Sequence, residues 1–125
     1  MYRAYGLLLA NTDFSLERAL SKLTERFPQY TVTRAADQIT VASPDWEIEL
    51  LLNISPDVLT ESIGFAEKIA GGDGLYLEKV DRRVEVWSDT PDPEVEHLDD
   101  FLGVIDILKS FTGIVVIDPK EPALM

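Results

Sequence analysis

The alternation between Ile39 and Ile54, ITVASPDWEIELLLNI, limits what this chain can fold into more than any other stretch. Trp46, Ile48, Leu50, Leu52 and Ile54 alternate with Glu47, Glu49, Leu51 and Asn53. A period of two puts the first set on one side of a strand and makes that side apolar. Just upstream, Ile39, Val41 and Ser43 alternate with Thr40 and Ala42, and the Ser43-Pro44-Asp45 break is short enough to close the two runs into an antiparallel hairpin. A sheet half-buried in this way needs apolar cover, and the rest of the chain offers three helices.

Tyr2 to Ala10 predicts a strand, and consecutive Leu7, Leu8 and Leu9 place it inside the sheet with both faces covered. Asp13 or Ser15 can cap the next helix by accepting from its unpaired N–H groups. Leu16, Ala19, Leu20, Leu23 and Phe27 give that helix one apolar stripe, and Pro28 stops it. The β-branched run from Tyr30 to Ala36 reads as a strand, turned at Asp37-Gln38, so residues 30–54 form a three-stranded meander. Ser55-Pro56-Asp57 starts a second helix with a capping hydroxyl and proline at the first position. Its stripe is Leu59, Ile63, Ala66, Ile69 and Ala70, and Gly71-Gly72 is its stop. Leu75 to Val80 and Arg83 to Ser88 predict a further hairpin.

Asp92-Pro93 repeats the cap-plus-proline start for a helix over Glu94 to Phe111. There Val95, Leu98, Leu102, Ile105 and Leu108 form one stripe, while Phe101, Val104, Ile107 and Phe111 widen it past a single face. So apolar a helix points to cover from the core and from a second copy of the chain, a homodimer through the 94–111 helix. Ile114 to Ile117 is a last short strand, and residues 118–125 read as a loosely held tail. The order β-α-β-β-β-α-β-β-α-β predicts one α+β domain over residues 1–125. Its sheet is mixed and mainly antiparallel with three helices packed on it, and its most specific topology is a ferredoxin-like core around the first two helices.

The chain has no cysteine, which removes disulfides, thiolate metal sites and thiol nucleophiles together and fits a reducing cytoplasm. Its first residues, MYRAYGLLLAN, are too short an apolar run for a membrane span and lack a secretory cleavage site. The net charge of −12 is uneven. Residues 1–43 hold five basic and four acidic side chains, so the remaining 82 residues carry −13. Such a field repels nucleic acid and anionic lipid, keeps the chain soluble and favours a basic protein partner.

The richest polar constellation is Asp89, Asp92, Glu94, Glu96, His97, Asp99 and Asp100, with Trp87 beside it as a potential interface anchor. On a helix, His97 and Asp100 lie three apart, and Glu96 and Asp100 four apart, so each pair can share a face. Oxygen ligands with one imidazole suit Mg²⁺ or Mn²⁺, and an acid beside a histidine suits general-base work. The plainer account is acids stabilised by a helix dipole and a solvated histidine, and it is preferred; the sequence specifies no cofactor. Gly71-Gly72-Asp73-Gly74 lacks the Lys-Ser/Thr of a phosphate loop and follows a helix rather than a strand. Trp46 and Trp87 both sit in strand patterns and read as core first, interface anchors second. The inventory points to a non-catalytic interaction module of immunity or regulatory type that binds a basic partner. A homodimeric small-molecule-binding domain ranks second, and a metal-dependent enzyme using Glu96, His97 and Asp100 third.

Overall fold

In a computed structural model that describes residues 2–69 and 76–125, the chain forms an α+β fold around one antiparallel sheet. The strands are β1 (Tyr2–Leu8), β2 (Thr31–Ala35), β3 (Gln38–Ser43), β4 (Trp46–Asn53), β5 (Arg83–Ser88), β6 (Ile114–Asp118) and β7 (Ala123–Leu124). The helices are α1 (Leu16–Arg26), α2 (Asp57–Lys68) and α3 (Leu98–Lys109), with a 3₁₀ turn at Leu77–Lys79. Spatial order is β2-β3-β4-β5-β1-β6-β7, and every ladder is antiparallel. The ferredoxin-like pattern would set one strand between β1 and the strand after α1; here β5, β4 and β3 all intervene. Among the described residues no helix is long and apolar enough to cross a membrane.

The alternation that opens the sequence argument carries the core. Ile48 and Leu50 are fully buried and Trp46 nearly so, and their side of the sheet meets Leu16, Ala19 and Leu23 of α1 and Phe101, Val104 and Leu108 of α3. Gly103 lets the two helices approach, because a Cβ there would sit 3.2 Å from Phe27 Cζ. The Ser15 hydroxyl accepts the Arg18 N–H and caps α1. Leu7 of β1 and Ile117 of β6 face the other way, onto Ala66 and Ile69 of the α2 segment and onto Leu77 and Val80. The sheet therefore has helices on both faces, but among the described residues α2 with the 3₁₀ turn packs on its β1–β6 side and reaches β5 through Glu61 and Arg83.

Several local expectations are corrected. Asn53 Oδ1, rather than the Ser55 hydroxyl, shapes the entry to α2 by accepting the Ser55 N–H at 2.9 Å. The buried face of α2 is Val58, Ser62 and Ala66, leaving Leu59 and Ile63 exposed. A polar residue is tolerated there because the Ser62 hydroxyl donates to the Val58 carbonyl. Residues 77–79 form the 3₁₀ turn rather than a strand, because β5 already has β4 on one edge and β1 on the other. Tyr76 moreover has φ +58°, outside strand geometry. The expected helix stop at Gly71-Gly72, the Gly71–Gly74 loop, Ala70 and Leu75 lie outside the described residues. Helix α3 begins at Leu98 rather than Glu94, and its buried apolar residues are Phe101, Val104, Ile105, Ile107 and Leu108, while Val95, Leu98 and Leu102 stay exposed. The final residues add β7 to the edge of β6, with Met125 N–H donating to the Val116 carbonyl.

Candidate functional site

Asp92, at the centre of the acidic segment, is turned inward and spent on structure. Its Oδ1 accepts the Glu96 N–H at 3.0 Å, while Oδ2 accepts the His97 N–H at 2.9 Å and the Tyr2 hydroxyl at 2.6 Å. These bonds hold residues 92–97 in a turn with Val95 at φ +55°, which is why α3 starts late. Burial alone would push the Asp92 carboxyl up, but the donors from Tyr2, His97 and Glu96 outweigh it and hold the group below its ordinary value. The Tyr2 hydroxyl is in turn pushed up to about 12, by its bond to Asp92 and then by burial. Its ring stacks on Phe101 at 5.1 Å and meets Trp46 edge-on at 6.1 Å.

His97 lies flat on Trp46, with ring centroids 4.5 Å apart and planes 2° from parallel. Its Nδ1 is 3.0 Å from Asp100 Oδ2, and the Tyr30 hydroxyl donates to that oxygen at 2.5 Å. Burial, then the bond to Asp100 and that carboxylate's charge, raise the Tyr30 hydroxyl well above its ordinary range. The predicted His97–Asp100 pairing is therefore present. A proton on Nδ1 shared with Asp100 would leave Nε2 as an acceptor, the arrangement a general base requires. Glu96 precedes α3, so it does not share a helix with Asp100 as expected. Among the described residues no serine or threonine hydroxyl bonds the imidazole, and no three His, Asp or Glu side chains converge as metal ligands.

Trp87 and Asp89 lie on the opposite face. β5 sends Val84, Val86 and Ser88 toward α1 and α3, so Arg83, Glu85 and Trp87 point away from them. Trp87 stands opposite Glu49 of β4 and Arg3 of β1. With Gln38, Glu47, Asp89, Thr90 and Pro91, Trp87 and Glu49 line an open hollow of about 490 Å³. Glu47 is exposed, and Glu49 and Trp87 are half-buried. Burial, the neighbouring Glu47 and the charge of Asp89 push the Glu49 carboxyl up to about 7. Four residues back along β5 from Trp87, Arg83 is buried, held by Glu61 at 2.7 Å and Glu85 at 2.8 Å and stacked 4.0 Å over Tyr5.

The predicted constellation is thus divided by the sheet. His97 and Asp100 sit on the helix face, Asp92 closes a turn, Glu94, Glu96 and Asp99 are exposed, and Trp87 with Asp89 belongs to the outer face. Trp46 is core, whereas Trp87 is partly exposed. Sequence reasoning offered Tyr2 and Tyr30 only as residues that could line a groove and did not pair them with Asp92 and Asp100, which they reach from 90 and 70 residues away. It also left Glu47 and Glu49 as mere solvent-side partners of the core strand, although the alternation had already placed them together on one side. Compared with models of known protein families, with curated proteins and with solved structures, the chain gives no match.

Proposed function

We propose that this chain is a non-catalytic interaction module of the cytoplasm that binds a basic protein through the uncovered outer half of its sheet, in the manner of an immunity-type or regulatory protein. One observation carries the reading: a partly exposed Trp87 rimmed by Glu47, Glu49 and Asp89 in an open hollow on a chain of net charge −12. An aromatic face ringed by carboxylates suits an arginine or lysine side chain, which it can hold by cation–π attraction and charged hydrogen bonds. The wider acidic field steers such a partner in. Glu49 adds a mechanism. Its raised pKa relieves repulsion among the three acids while the hollow is empty, and an arriving cation would favour its ionised form and drive its proton off.

The test is co-purification from the native host at low salt. A basic protein should be recovered in stoichiometric amount, released by high salt and lost with Trp87→Ala or Glu47→Gln. Recovery of the chain alone at every salt, or capture unchanged by both substitutions, removes the proposal.

A further inference from the structure

The sheet ends at β2, and among the described residues neither proline nor a bulge blunts that end, Arg34 being its one charged side chain. Natural sheets protect edge strands with short length, charged side chains, proline, bulges, inward charges or a covering loop. Thr31–Ala35 contains no proline, its register with β3 runs unbroken from Thr31/Ala42 to Ala35/Gln38, and all its residues but Val32 are exposed. The two-residue turn at Ala36-Asp37, with Ala36 at φ +53°, makes Ala35/Gln38, Thr33/Thr40 and Thr31/Ala42 the hydrogen-bonded pairs. The N–H and C=O groups of Val32 and Arg34 therefore face outward.

We infer that β2 pairs antiparallel with β2 of a second copy of this chain about a twofold axis at Thr33. In that register Val32 of each copy lies opposite Arg34 of the other, and their outward groups exchange four backbone hydrogen bonds. Thr33 meets its own counterpart, a favourable cross-strand pair. Charge selects this edge for self-association. Residues 1–43, which hold β2 and β3, carry +1 of the chain's charge, against −13 for the remainder. Arg34 Nε donates to the Ala36 carbonyl at 2.9 Å, drawing each guanidinium toward its own turn and away from the axis. The exposed Leu98 and Leu102 of α3 are the rival surface, but Asp99 and Asp106 share that helix and would be brought against their counterparts. Pairing through β2 uses none of the residues that line the Trp87 hollow, so it stands independently of the proposed partner.

Sedimentation velocity on the full chain, from micromolar to submillimolar concentration at low and high salt, tests the inference. The mass should rise from 14.0 kDa toward twice that value, and more readily at high salt, the opposite of binding to a basic partner. Thr33→Lys and Thr33→Glu should each weaken association about fivefold, because like charges then meet at the axis, and an equimolar mixture should recover it. Arg34→Pro removes an outward N–H without touching a bond between β2 and β3, and it should leave a chain that is folded by circular dichroism and monomeric by sedimentation. A single-chain mass under all conditions overturns the inference. So does association that survives Thr33→Lys and Thr33→Glu equally, or a mixture that associates no better than either variant alone.

Discussion

Replacing Asp92 by alanine should destabilise the fold by about 2–4 kcal/mol, through two losses of known size. Loss of a side-chain acceptor for backbone N–H groups costs about 1–2 kcal/mol where it has been seen at helix caps, and Asp92 accepts those of Glu96 and His97 in the turn before α3. A hydrogen bond to a charged group contributes roughly 1.5–3 kcal/mol, and the Tyr2 hydroxyl makes one at 2.6 Å. Water reaching the turn beside exposed Pro91 and Pro93 recovers part of the sum. For a domain of 125 residues this is a fall in Tm of roughly 6–15 °C. Urea unfolding gives the free energy directly, and Asp92→Asn, which keeps one acceptor and the shape, should lose about half as much. Combining Asp92→Ala with Tyr2→Phe should show a coupling of at least about 1 kcal/mol, since both remove one bond. The pH dependence has a fixed sign. With its folded pKa held below the ordinary 3.8, Asp92 contributes fully above that pH and loses its contribution as pH falls through the folded value. Asp92→Asn should flatten stability in that acid window. A loss under about 0.5 kcal/mol for Asp92→Ala, the level of an ordinary surface change, or additive behaviour with Tyr2→Phe, would refute the account of the turn.

Leu50→Ala, on a central strand and fully buried, should cost about 3–4 kcal/mol by chemical denaturation, and a cost below about 2 kcal/mol would mean the core closes over the gap. The Glu49 carboxyl should titrate by NMR near 7; because its folded pKa is raised, its contribution is full below the ordinary 4.5 and is lost as pH rises through about 7, so Glu49→Gln should flatten stability across that window. Absorbance at alkaline pH should show one tyrosine ionising near 12 that moves toward 10 in Asp92→Asn, with the stability it lends complete below pH 10 and lost between 10 and 12.

The parts of the fold that were legible from sequence are those where one periodicity meets one buried face. Trp46, Ile48 and Leu50 alternate without interruption, and α1 keeps a single stripe between a serine cap and a proline, so burial had one solution in each. α2 and α3 failed in rotation rather than existence. α3 carries apolar side chains around more than half of the helix and α2 around a wide arc that includes Leu59 and Ile63, so more than one face could have met the sheet, and packing chose Val58–Ser62–Ala66 and Phe101–Val104–Leu108. The strand expected at 75–80 failed for a reason no local pattern contains: β5 lies between β4 and β1, so no edge was left to receive it.

The site was harder to read because proximity along the chain imitated proximity in space. Asp89 to Asp100 looked like one constellation, yet β5 ends just before it and leaves Asp89 beside Trp87 on one face, while the following turn carries His97 and Asp100 to the other. What assembles each half is a strand remote in sequence. Tyr2 comes from β1, Tyr30 from the entry to β2, and Glu47 and Glu49 from β4. Of these, only the glutamates had a signal in the sequence, since the period of two that buries Ile48 and Leu50 must also aim Glu47 and Glu49 together at the opposite side. An apolar alternation that identifies a core thus names, by the same geometry, the polar residues that share the uncovered face. In this chain those residues surround a half-buried tryptophan, and it is on that juxtaposition that the proposed binding rests.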